Sequence, residues 1–168
     1  MNTHNAFSCV FTGHRPKLLP WGYDESASSC ARMKELLTDE VVKSYHKGYR
    51  NFYCGMALGG DMIFAETVLS LNDLIPDIAL FAVIPYSGQP DSWHDSQKIR
   101  YRRILDKCAE TIILQEKYAK DCMKNRNYYM VDKSSRLIAI YDGISHGGTM
   151  QTIRYAKEQE LEIVVIKP

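Results

Sequence analysis

Several short segments of the chain follow apolar runs and carry groups that could bind phosphate. The first consists of Thr12, Gly13, His14 and Arg15, at the end of the apolar run 7–12. Glycine permits a sharp turn or a close approach of the backbone to a ligand. The other three side chains can donate hydrogen bonds to phosphate, and arginine can do so through two parallel bonds. We therefore predict that this segment contacts a ligand, with an ordinary polar surface turn as the alternative.

Two further segments are rich in small residues at points where a strand is expected to end and a helix to begin. They contain Gly55, Ala57, Gly59, Gly60 and Asp61 in one case, and Gly147, Gly148 and Thr149 in the other. Free amides at the start of a helix attract anions. Neither segment matches the dinucleotide-binding or P-loop fingerprint. Because a plain turn needs one glycine rather than a pair, the two segments together predict a shared phosphate site.

Carboxylates and one arginine complete the candidate set. Asp61 is expected in a first helical turn, where it either caps free amides or takes a ribose-binding or catalytic role. In the polar stretch 124–133, Arg126 could reach toward the strand ends, with Asn127 and Asp132 orienting it. That stretch also suits a solvated helix face, so both interpretations stay open.

Hydrophobic periodicity predicts the elements that must position these residues. Strands are expected at 7–12, 51–56, 78–84, 111–114, 136–141 and 162–167, and helices at 26–46, 61–72, 94–108, 121–134 and 148–159. Several of the strands are continuous apolar runs, which is typical of strands covered on both faces. The alternation predicts an α/β fold, a Rossmann-like three-layer sandwich with a mostly parallel sheet and helices on both faces, as a single domain over residues 1–168. Such sheets bind ligands where strands end and helices begin.

Composition limits the classes of partner. The 168 residues carry 21 basic and 20 acidic side chains, a net charge of +1, which gives no general attraction to nucleic acid. Basic residues cluster at 98–107, where a solvated helix face or a nucleic-acid patch is expected. No run approaches the roughly 18 apolar residues of a membrane span, and no signal peptide is recognisable. The five cysteines lack CxxC spacing, so we expect no disulfide framework, no bound metal and a reducing, cytoplasmic compartment.

An ordered set of short motifs resembles one family over nearly the whole chain. The set comprises Thr12-Gly13-His14-Arg15-Pro16, Gly59-Gly60-Asp61, Pro85-Tyr86, Gln89, Trp93, Tyr101, Arg126-Asn127, Met130-Val131-Asp132, Tyr141-Asp142 and Gly147-Gly148-Thr149. It is similar to the YpsA-like family of the SLOG superfamily, which groups Smf/DprA proteins with LOG phosphoribohydrolases. The resemblance implies a Rossmann-like sheet with a pocket for a nucleotide, NAD or ADP-ribose derivative, and it adds Pro85 to the candidate ligand-binding residues.

The resemblance leaves the reaction open. LOG enzymes cleave an N-glycosidic bond with a glutamate shortly after a glycine-rich loop and an arginine upstream. Arg126 matches the arginine, but Gln151 follows the loop here and no acidic residue occurs before Glu158. Because glutamine cannot ionise to act as a general base, we expect a nucleotide-binding sensor or regulatory protein. N-glycosidic hydrolysis of a nucleotide is the alternative, in which Asp61 or Asp132 would take the place of the missing glutamate.

The resemblance also leaves the partners open. The stretch 125–168 is similar to DprA proteins, which bind single-stranded DNA, and residues 100–103 would supply the contact in that alternative. The near-neutral charge makes nucleic acid the weaker expectation. We expect a small-molecule ligand and no association with a membrane, and we leave open whether the protein forms a homo-oligomer. We also expect the Arg126 side chain to point into an open crevice, so that its loss would weaken binding without lowering stability.

Overall fold

The computed structural model describes residues 7–168, in which strands and helices alternate from end to end. The strands are β1 (Ser8–Gly13), β2 (Asn51–Cys54), β3 (Ala79–Ile84), β4 (Glu110–Ile113), β5 (Arg136–Ile140) and β6 (Glu162–Ile166). The helices are α1 (Ser28–His46), α2 (Gly60–Asn72), α3 (Asp95–Leu105), α4 (Cys122–Asp132) and α5 (Gly148–Glu158). Each element overlaps a predicted one, because the apolar runs and the glycine and proline breaks are local features of the sequence. A 3₁₀ turn, Pro16–Leu18, was not predicted.

The strands form one six-stranded sheet in the order β4-β3-β2-β1-β5-β6, and every neighbouring pair is parallel. The predicted α/β class with a mostly parallel sheet is therefore confirmed. Successive strands are added on one side of β1 as far as β4, after which the chain returns to place β5 on its other side. The carboxyl ends of β1 and β5 thus lie at the point where strand order reverses, which is where open parallel sheets bind ligands.

Helices cover both faces of the sheet. On one face, α1, α2 and α3 bury a cluster that includes Phe11, Phe52 and Phe64, with the rings of Phe11 and Phe64 stacked at 4.3 Å between centroids. On the other face, α4 and α5 bury a smaller cluster that includes Leu137 and Ile153. Because helices cover both faces of the sheet, the side chains on both sides of a central strand are shielded from water, which explains why all five residues of β5 are buried.

A buried ion-pair network ties the amino-terminal edge of the sheet together. Arg136, at the start of β5, is only 2% exposed. Its guanidinium donates to Ser44 Oγ at 2.9 Å and pairs at 2.5 Å each with Glu40 on α1 and Glu162 on β6. A buried charge requires such partners, so this network holds α1 and β6 to β5.

Candidate functional site

A cavity of about 270 Å³ lies at the switch point between the carboxyl ends of β1 and β5. Three chain segments and α4 surround it. The predicted residues that line it are Thr12, Gly13, His14, Arg15, Ala57, Asp61, Arg126, Asn127, Gly147, Gly148 and Thr149. Sheet topology therefore brings the three phosphate-binding candidate segments to one crevice, because parallel strands end on the same edge.

The segment after β1 contributes one exposed and one buried polar side chain. Arg15 is exposed, whereas His14 is only 3% exposed. Nε2 of His14 lies 3.2 Å from both the backbone nitrogen and Oδ1 of Asp142. It can accept from the amide when unprotonated or donate to the carboxylate when protonated. His14 thus joins the loop after β1 to the loop after β5, whereas Arg15 is free of that structural role and accessible to a ligand.

Glycines after β2 serve close packing. Gly60 donates its amide to the His14 carbonyl at 3.0 Å. Gly59 has φ +95°, and a Cβ atom there would come within 2.6 Å of the same oxygen. Neither Gly59 nor Gly60 is among the residues that line the cavity. The geometry therefore accounts for this glycine pair by backbone contact between the β2–α2 and β1–α1 loops, with the Gly60 amide already occupied.

Gly55 has a third, distinct role. Its carbonyl accepts hydrogen bonds from Arg126 Nη1 and, at 3.1 Å, from Gln89 Nε2. A Cβ atom at this position would overlap the Arg126 guanidinium. Glycine is therefore required at residue 55 so that the arginine can lie against the backbone of β2's end.

Arg126 and Asp61 form the charged floor of the cavity. Arg126 is 3% exposed and also donates from Nε to Asn127 Oδ1 at 2.7 Å. Asp61 is 6% exposed and accepts from the Ala57 amide at 3.0 Å. Burial raises the pKa of Asp61, while Arg126, the Ala57 amide and Arg15 oppose that rise. Burial likewise lowers the pKa of Arg126, and Asp61 opposes the change.

The buried setting of Arg126 corrects one expectation from the sequence. We expected a guanidinium extended into an open crevice and dispensable for stability. Arg126 lines the cavity, but two of its nitrogens are engaged by the protein and its charge neighbours that of Asp61. The arginine is therefore part of the folded framework as well as part of the cavity wall.

The start of α5 opens directly onto the cavity. Gly147, Gly148 and Thr149 all line it, and the helix has no side-chain cap. The first amides of a helix have no intrahelical acceptor, so they are available to an anion. The preceding loop is ordered by Asp142, whose carboxylate accepts from the amides of Ile144 and Ser145 at 3.0 and 2.9 Å and from the Ser145 hydroxyl. These bonds hold the pKa of Asp142 below its usual range.

Five predicted residues do not line this cavity, namely Gly55, Gly59 and Gly60, whose packing is described above, and Asp132 and Pro85. Asp132 is exposed at the end of α4, where it accepts a hydrogen bond from Tyr155 Oη at 2.8 Å. Pro85 is buried directly after β3. Neither lines the cavity, so of the two carboxylates considered for ribose only Asp61 belongs to the cavity wall.

Sequence reasoning missed several lining residues, namely Phe11, Leu18, Met123, Ser145, His146 and Met150. Helical spacing could have found Met123, because it precedes Arg126 by three residues and Asn127 by four and so shares their helix face. His146 and Ser145 lie in the loop that the glycine argument already singled out. Nothing in the sequence indicates a ligand-binding role for Leu18 or Met150 except that each lies close in the chain to predicted residues.

One arginine of the basic helix in the DNA-binding alternative is engaged within the protein. Arg100 on α3 makes paired hydrogen bonds to Glu25, at 2.6 and 3.0 Å, and to Glu66, at 2.8 and 2.7 Å. A guanidinium held by two carboxylates is not available to a phosphate backbone, so this arginine fastens the β1–α1 loop to α2 and α3.

Comparison with known proteins shows the family of this chain. A family model described as the YspA SLOG family matches residues 9–168. The chain belongs to that family. The chain is 32% identical over 135 residues to the uncharacterized SPbeta prophage-derived protein YoqJ of Bacillus subtilis, and the match covers 73% of this chain and 77% of YoqJ.

More distant relatives carry the name UPF0398. One from Halalkalibacterium halodurans is 23% identical over 130 residues, covering 76% of this chain and 69% of its own length. One from Bacillus cereus is 23% identical over 151 residues, covering 88% of this chain and 81% of its own length. The family resemblance inferred from the ordered motifs is thereby confirmed.

Residues 7–168 contain neither a membrane-spanning helix nor a cluster of metal-binding side chains. No helix in that range is long and apolar enough to cross a membrane. The same range holds no group of three or more histidine, cysteine, aspartate or glutamate side chains placed to share a metal ion.

Proposed function

We propose that this member of the YspA SLOG family binds a nucleotide or nucleotide-derived phosphate ligand in the β1–β5 crevice and acts as a sensor or regulatory protein. The observation that carries the proposal is the uncapped start of α5, which faces a cavity that also holds Arg15 and Arg126. Free helix amides and arginines are the groups that proteins use to bind phosphate.

Charge within the cavity supports an anionic ligand. Arg15 and Arg126 carry two positive charges, and Asp61 is the only acidic side chain among the described residues that line the cavity. The Asp61 carboxylate accepts from an amide through Oδ2. Its other oxygen, Oδ1, is the acceptor we assign to a ribose hydroxyl. Phosphate would therefore lie between the α5 amides and Arg15, with the sugar toward Asp61.

The residue at position 151, just after the glycine-rich loop, favours binding without turnover. Gln151 is exposed and does not line the cavity, so it does not face a bound ligand, and its amide cannot ionise to act as a general base.

One observation favours N-glycosidic hydrolysis as a second candidate function: Asp61 is a carboxyl in the cavity whose pKa is raised by burial. A raised pKa is typical of groups that exchange protons near neutral pH.

A thermal-shift screen with nucleoside monophosphates, cyclic nucleotides, NAD and ADP-ribose tests the proposal. A ligand at about 100 times its dissociation constant stabilises the folded state by about 2.7 kcal/mol. For a domain of this size each kcal/mol corresponds to about 2–4 °C, so a rise of about 5–10 °C is expected.

Arg15→Ala should abolish most of that shift, and Arg102→Ala, an exposed arginine on α3, is the matched control. The absence of a shift with every compound would contradict the proposal. Release of free base from the bound nucleotide, lost in Asp61→Asn, would establish hydrolysis instead of sensing.

A further inference from the structure

Three partly exposed apolar side chains line the proposed phosphate crevice. Leu18 comes from the 3₁₀ turn after β1, Met123 from the first turn of α4 and Met150 from the first turn of α5. All three line the cavity. Three separate elements therefore bring apolar groups to a site whose floor is charged.

None of the three side chains belongs to the core. The two buried clusters of the described residues, with the half-buried side chains packed against them, do not include Leu18, Met123 or Met150. Leu18 is 45% exposed, and both methionines are half-buried. Single exposed apolar residues are common, but three that converge on one polar cavity have no role in folding that the packing reveals.

We infer that Leu18, Met123 and Met150 form an apolar lip that binds the ring portion of the ligand, so that the crevice selects a nucleoside monophosphate over a sugar phosphate. This inference rests on the proposed function, because it assumes that phosphate occupies the α5 amides. Methionine is flexible and polarisable, and its sulfur makes favourable contacts with aromatic rings. Two methionines and a leucine therefore suit the two faces and edge of a planar base.

The size of the cavity favours a small ligand over a dinucleotide. Small-molecule sites usually enclose about 300–1,000 Å³. At about 270 Å³, this cavity lies just below that range. It suits one phosphate, one sugar and one ring that extends to the lip, whereas a dinucleotide would have to leave much of itself outside.

Titration calorimetry with adenosine 5′-monophosphate, ribose 5-phosphate and inorganic phosphate tests the lip. The variants are the double substitution Met123→Gln with Met150→Gln, and Leu18→Gln alone. Glutamine preserves side-chain length and helix propensity but removes apolar contact. Ile99→Gln, which alters a side chain that is 61% exposed on α3, is the matched control.

In the unmodified protein, we expect adenosine 5′-monophosphate to bind about tenfold more tightly than ribose 5-phosphate, in keeping with sulfur–ring contacts for two methionines. The double variant should reduce that ratio to about two, while the affinity for ribose 5-phosphate changes less than about twofold. If the double variant does not fold, Leu18→Gln, at an exposed position, should still lower the ratio.

Equal affinities for the two compounds in the unmodified protein would overturn the lip inference and leave the phosphate site standing. So would a ratio that none of the lip variants changes, because the base would then bind elsewhere. Failure of all three compounds to bind would also overturn the lip inference, and the absence of a thermal shift with every compound of the nucleotide screen would overturn the proposed function as well.

Discussion

Replacing Arg126 with alanine should destabilise the protein even in the absence of ligand, whereas replacing Arg15 should not. Both arginines line one crevice, but Arg126 is 3% exposed and Arg15 is exposed. Arg126 donates to the Gly55 carbonyl and to Asn127, and it neighbours the buried carboxylate of Asp61. The comparison therefore separates a framework arginine from a ligand-binding one.

The size of the effect follows from these contacts. Losing the hydrogen bonds that a buried charged group donates costs about 1.5–3 kcal/mol, and Arg126 donates to the Gly55 carbonyl and to Asn127. For a domain of 168 residues, at about 2–4 °C for each kcal/mol, Arg126→Ala should lower the melting temperature by about 3–12 °C. Arg15→Ala should change it by about 2 °C or less, since exposed substitutions usually alter stability by under about 0.5 kcal/mol.

Calorimetric melting of the ligand-free variants measures this difference. The double variant Arg126→Ala with Asp61→Asn is the decisive addition, because it removes the carboxylate that the single substitution leaves unpaired. The double variant should have a higher melting temperature than Arg126→Ala alone. A melting temperature for Arg126→Ala within about 2 °C of the unmodified protein would refute the framework role. Equal melting of the single and double variants would refute the coupling to Asp61.

The other predictions concern Gly55, Asp61 and Glu162. Gly55→Ala should lower both stability and nucleotide affinity because its Cβ atom displaces the Arg126 guanidinium, whereas Gly148→Ala, with only Asn127 at 3.9 Å, should not lower the melting temperature. Asp61→Asn should increase the affinity for inorganic phosphate about fivefold in calorimetry, since a negative charge leaves the cavity, and should weaken the preference for ribose 5-phosphate over phosphate. Lys47 and Arg136 lower the pKa of Glu162 in the folded protein, so its stabilising effect is complete above the unfolded pKa of about 4.3 and is lost as the pH falls further. Glu162→Gln should therefore destabilise the protein by about 1 kcal/mol or less at pH 7, the side chain being half-exposed, and by progressively less as the pH falls through the lowered pKa of the folded state, with Glu35→Gln as the control and urea melts as the measurement. A deficit that persists unchanged at pH 3 would contradict this assignment.

The sequence by itself determined the order and type of the elements. Apolar runs such as the one in β5, and breaks such as Pro85 after β3, depend on neighbouring residues only, so they are readable without a structure. The alternation of strands and helices implied a parallel sheet, and parallel strands end on one edge. That rule sufficed to predict that the candidate segments after the strands lie at one edge of the sheet, but not that Gly59 and Gly60 stay out of the cavity wall.

Only the tertiary structure decided what individual residues do in the crevice. Asp132 follows Arg126 by six residues, which at about 100° for each residue puts it some 240° around the helix, so both cannot face the ligand. The roles of Gly55, Gly59 and Gly60 depend on atoms of Arg126 and His14, which are distant in sequence. Long-range packing also buried Arg126 and brought Met123 and Met150 together, because strand order, rather than any local pattern, sets which loops are neighbours.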